Sequence, residues 1–88
     1  MHYDEYEISM GREINFCRSV IKRLKSDLAK KEQRFAMTTQ RFLAASGEEL
    51  LPVEKKDRER WQNDYRQLNE WQSRLQAYEE ALAMVKRQ

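Results

Sequence analysis

The side chains able to do chemistry are few and poorly spaced for it. His2 is the sole histidine of the chain, so a histidine-based metal site or general base has no second member of its own kind. Cys17 is the sole cysteine. It excludes an internal disulfide, fits a reducing compartment, and falls at a core position where a thiol acts as a small buried hydrophobe. Glu48-Glu49 and Glu79-Glu80 are adjacent carboxylates. Neighbours on a helix point to different faces, so neither pair converges on a reacting atom. The two glycines, Gly11 and Gly47, form no phosphate-cradling loop. Trp61, Tyr65, Trp71 and Tyr78 look like a base-stacking series, but their spacing is that of a helix core rather than of an exposed platform beside a basic groove. No catalytic residue, metal ligand or cofactor is expected, and the chain is not expected to be an enzyme.

The elements behind these residues are read from two apolar ladders. Ile14, Cys17, Ile21, Leu24, Leu28, Lys31, Phe35, Thr38, Phe42 and Ala45 recur at alternating steps of three and four. That is a heptad seam with a at 14, 21, 28, 35 and 42, and d at 17, 24, 31, 38 and 45. A second ladder runs Trp61, Asp64, Leu68, Trp71, Leu75, Tyr78, Leu82 and Val85, after Pro52, the only proline. The expected fold is all-α: an antiparallel two-helix coiled-coil hairpin over residues 1–88, assembling into a four-helix bundle. Helix one is expected over about 4–45 with Asp4 as its N-cap, the turn over 46–51, and helix two over about 52–86 with Pro52 in its first turn. Gly11 weakens the early helix. Residues 36–39 are a doubtful joint: the helix either runs through to Ala45 or breaks there, stopping near Ala36 and restarting at Thr38 or Thr39, which are good N-caps, and the unbroken seam favours continuity or a mild kink.

Folding the chain at that turn sets a register. The a positions meet when residue numbers sum to 96 (Ile14 with Leu82, Ile21 with Leu75, Leu28 with Leu68, Phe35 with Trp61), and the d positions when they sum to 95. Both place the fold at residue 48, inside the turn indicated independently by Gly47 and Pro52. Lys31 and Asp64, each wrong for an apolar seam, land opposite each other as a polar pair able to fix register. Nearer the turn the same register faces Thr38 with Asp57 and Phe42 with Glu54, and brings Arg34 to Arg60 with no acid between them.

One flank carries more apolar residues than a seam needs. Phe16, Val20, Ala77, Ala81 and Met84 occupy c and g positions beside the open end of the hairpin. They are read as an interface for another copy or a different protein.

Charge and size point the same way. At 88 residues, with 36 % charged and 40 % hydrophobic, the chain is small enough that a dimer or a partner is expected to complete its core. Residues 1–16 carry a net −3 and residues 17–34 a net +5, within an overall +2. The basic stretch invites nucleic acid, but it is read as a solvated helix face, since no recognition helix follows a short turn. The acidic start is not expected to be a signal peptide. No apolar run approaches the roughly 20 residues that span a bilayer, and a cytoplasmic location without membrane contact is expected.

Residues 34–43, Arg-Phe-Ala-Met-Thr-Thr-Gln-Arg-Phe-Leu, followed by Gly47-Glu48-Glu49-Leu50, carry an aromatic-x-Met-Ser/Thr…Phe…Gly-Glu-Leu pattern ahead of a Trp/Tyr-rich helix. Over residues 34–65 this resembles small helical prokaryotic proteins of the antitoxin-like kind. Ala36 stands where that pattern has Gly. The resemblance implies a helix break near Ala36 and a small cognate protein as partner, and no active-site residues. A structural coiled-coil adaptor or a chaperone is the alternative that the sequence leaves open.

Overall fold

The computed structural model describes residues 2–45 and 53–86. Three helices follow one another: α1 (His2–Phe35), α2 (Thr39–Ala44) and α3 (Lys55–Lys86). α1 and α3 pack against each other along a rod 59 Å long and 17–19 Å across. Its radius of gyration of 17.6 Å exceeds the roughly 12 Å of a compact domain of this length. Among the described residues there is no strand, and no helix is long and apolar enough to cross a membrane. The predicted turn at 46–51 and Pro52 lie outside the described residues.

The expected register is kept. Lys31 Nζ lies 2.7 Å from Asp64 Oδ2, on the sum of 95, and Phe35 stacks on Trp61, on the sum of 96. Arg18 meets Glu79 at 3.0 Å, further toward the open end. Contacts that climb α1 while descending α3 make the pair antiparallel. Ile14, Cys17, Ile21, Leu24 and Leu28 are all buried, as an a/d ladder requires. On α3 the equivalent stripe is buried at Trp61 and Leu68 but only half-buried at Trp71, Leu75, Tyr78, Leu82 and Val85. The open-end half of the hairpin is therefore the less covered one.

Helix boundaries depart from expectation in two places, the starts of α1 and α3. α1 begins at His2, so Asp4 lies within the helix rather than capping it. The helix also passes through Gly11, because packing on α3 downstream outweighs the roughly 1 kcal/mol that a glycine costs in a helix interior. α3 starts at Lys55 rather than Pro52. Glu54 supplies the first carbonyl, to Arg58 N–H at 2.9 Å, and the non-helical Val53 is drawn into the core.

At residues 36–38 the doubtful joint is a break and not a kink, with α1 ending at Phe35 and α2 starting at Thr39. Ala36 takes a left-handed backbone, φ 53°. The N–H of Met37 then donates to the carbonyl of Glu32 at 3.1 Å, the closing bond of a Schellman stop. Thr38 restarts the chain as N-cap of α2, its hydroxyl accepting from the N–H of Arg41 at 3.0 Å. The Glu32 carboxylate accepts from the N–H of Thr39 at 2.6 Å. A left-handed alanine costs about 1–2 kcal/mol. In return Phe42 is swung onto the indole of Trp61, with centroids 4.2 Å apart and planes 3° apart, and is buried. Burial of a phenylalanine is worth about 1.5–3 kcal/mol and an aromatic pair about 0.5–1.5 more, so the break wins. Phe42 accordingly does not face Glu54, and Thr38 is a cap instead of a partner for Asp57.

Candidate interaction surface

The hairpin has two long flanks, and they differ in chemistry. The e flank is polar. Arg18 bridges Glu79 across the helices, and Lys22 and Lys25 border an open groove over Ile21 and Leu75.

The c/g flank divides in two. At the open end Phe16 is 56 % exposed and Met84 is 65 % exposed. Ala77 is exposed and Ala81 half-buried beside them. Trp71, a seam residue, meets the Phe16 ring edge-on with centroids 5.6 Å apart, and the Arg74 guanidinium lies 4.4 Å from the Trp71 ring centre. Val20 does not join this surface as expected. At 9 % exposure it belongs to the core cluster with Ile21, Leu24 and Leu68. A g residue flanks the seam closely enough to be covered by a large neighbour, and Trp71 packs against that same cluster. Of the five predicted interface residues the structure thus leaves Phe16, Ala77 and Met84 exposed and Ala81 half-exposed, with Val20 beneath them.

Toward the turn the same flank becomes charged. Asp27, Lys30, Lys31, Arg34, Asp57 and Arg60 line a shallow cleft. Lys31 is held by Asp64, both side chains 20 % exposed. Arg34 reaches Asp57 at 3.7 Å, so an acid does stand near the Arg34–Arg60 approach that the sequence suggested was bare. Breaking the helix after Phe35 removes Thr38 from the seam and frees Asp57 for this pair.

Two features escaped the sequence. One is the knot under α2. The Nε1–H of Trp61, fully buried, donates to the Thr39 hydroxyl at 3.0 Å, and Thr39 in turn holds Glu32 through its N–H. Threonine, tryptophan and phenylalanine at 39, 61 and 42 signalled a core, but which atoms meet depends on the break. The other is the part Trp71 plays outside the seam, which its d position did not disclose.

Cys17 is buried with 0 % exposure, and burial pushes its thiol up from the ordinary value of 9.0, against the lowering influence of Arg74. A neutral, inaccessible thiol is a poor nucleophile. No three His, Cys, Asp or Glu side chains come together to hold a metal ion among the described residues. The chain matches no protein-family model, no curated protein and no solved structure.

Proposed function

We propose that this chain is a non-enzymatic helical module that works by contact with other proteins, through the open-end half of its c/g flank. One observation carries the reading. The same hairpin spans its e flank with an ion pair yet leaves Phe16, edge-on to a half-covered Trp71, and Met84 more than half exposed on the other. A contiguous apolar patch rimmed by charge is the usual mark of a protein-contact site. A large aromatic beside an arginine at its centre has the composition of a binding hot spot.

The partner class is proposed from the antitoxin-like resemblance, and the helix break at residues 36–38, where that resemblance implies one, supports it. In this reading the chain binds a small cognate protein in the cytoplasm, as a dimer or as a single hairpin. A coiled-coil adaptor or chaperone would use the same face and differ only in what it holds. The test is co-expression with the product of the adjacent gene. A stable complex by light scattering, abolished by Phe16→Asp with Met84→Asp while the helical circular dichroism is kept, is the expected result. Binding unaffected by both substitutions would refute the role given to this face.

A further inference from the structure

We infer that the first occupant of the c/g flank is a second copy of this chain, with the two α1 helices antiparallel and residue numbers summing to 36 across a two-fold axis. The inference rests on the contact-module reading above and names its partner.

The charge pattern of α1 carries it. Residues 1–16 are net −3 and residues 17–34 net +5. The exposed Phe16 sits close to where the sign changes. Side-by-side parallel copies would set like charge against like along the whole helix. Antiparallel copies set the acidic half of each against the basic half of the other, and both boundaries coincide at the apolar centre. A two-fold arrangement makes every such pair occur twice.

Among antiparallel registers the sum of 36 satisfies the flank residue by residue. Phe16 falls over Val20 of the other copy, an apolar residue 9 % exposed in its own hairpin. Glu13 falls opposite Arg23, and Tyr6 opposite Lys30. Glu13, Arg23 and Lys30 are exposed and make no ion pair among the described residues, so each has its charge to spare. A tyrosine beside a lysine adds a cation–π contact. Tyr6 is 44 % exposed, on the same side of α1 as Phe16. At the level of residue 18 the hairpin register places residues 77–79 of α3, so the axis also brings Ala81 near Ala77 of the second copy. Small residues there let the two hairpins approach closely. The whole rod is 59 Å long and 17–19 Å across, so one long side of it has room for the roughly 800 Å² per partner of a standard interface. The product is a four-helix bundle.

Single-cysteine chains test this directly, in a Cys17→Ser background. Glu13→Cys and Arg23→Cys proteins are oxidised separately and as an equimolar mixture at about 100 µM. Disulfide dimers in the mixture alone are the expected result. A separation of ten residues, about 15 Å along the helix, keeps either chain from linking to itself. Efficient linking of Glu13→Cys to itself, which needs a parallel pair or an antiparallel one centred on residue 13, would overturn the register. Charge reversal gives an independent check. Glu13→Arg and Arg23→Glu should each weaken the wild-type dimer about 10-fold, and the double variant should recover most of that loss. A wild-type chain that stays monomeric at about 100 µM would overturn the second copy as occupant. The contact-module reading would then stand or fall separately, on whether Phe16→Asp with Met84→Asp releases a cognate protein.

Discussion

Ala36 is the residue at which the chain spends conformational energy to gain contact. Its φ of 53° is the sole positive value among the described residues other than glycine, and its side chain is exposed. Glycine reaches that backbone without penalty, though it loses more freedom on folding. Ala36→Gly should therefore stabilise the fold by about 0.5–1 kcal/mol, seen as a higher urea midpoint at unchanged slope. Ala36→Val, β-branched, should lower the midpoint. The reverse order would mean that the left-handed stop does not form in solution. Lys31 and Asp64 are the second residue-scale case. At 2.7 Å and 20 % exposure the pair is partly desolvated. Removing either partner alone leaves a charge facing an apolar seam, whereas Leu at both positions fills it. Single alanine variants should each destabilise, with a coupling of roughly 1 kcal/mol in a double-mutant cycle. The Leu–Leu variant should match or exceed the wild type. No measurable coupling would reduce the pair to a crossing of two solvated chains.

At the scale of the element, α2 has six residues and cannot hold itself together in water. It is held by the stack of Phe42 on Trp61, the hydrogen bond from Trp61 to Thr39 and the Glu32 carboxylate at its first turn. Thr39→Val keeps the shape and removes the acceptor, leaving a fully buried indole N–H unpaired. Such an orphan costs about 1–3 kcal/mol. Thr39→Val should lose stability in that range, and Thr39→Ser should keep most of it. Equal stability of the Val and Ser variants would show that the indole finds another acceptor. This element also marks the boundary of what the sequence made legible. The seam partners of α1 and α3 followed from a 3.5-residue period, because a coiled-coil register is set by side chains that recur. The Lys31–Asp64 pair followed from the same arithmetic. The break at Ala36 was one of two courses open to the joint, and the ladder favoured the other, since it runs on through Thr38 and Phe42 as though the helix continued. Its cause is tertiary: one indole, 22 residues downstream of Thr39, rewards the bend. Val20, 9 % exposed, was read as flank for a related reason, because a g position discloses its burial only once the core cluster it joins is formed. Phe16 and Met84 were legible as surplus apolar residues, since no seam position was left to receive them.

For the whole molecule, a hairpin two helices thick buries one stripe per helix and leaves its second apolar side to whatever it meets. Here the seam itself is only half-covered at Trp71, Leu75, Tyr78, Leu82 and Val85, and the flank beside it carries the exposed Phe16 and Met84. The charge halves of α1 make the chain complementary to itself in one orientation. Sedimentation equilibrium of the wild type and of Phe16→Asp, from about 1 to 100 µM, tests this most directly. Phe16 is more than half exposed in the hairpin, so the substitution leaves the monomer fold intact while placing a charge at the centre of the proposed contact. The account predicts a wild type that moves from the 10.7 kDa monomer toward twice that mass across the range, and a variant that stays at 10.7 kDa. A wild type that remains at 10.7 kDa throughout, indistinguishable from Phe16→Asp, would contradict it.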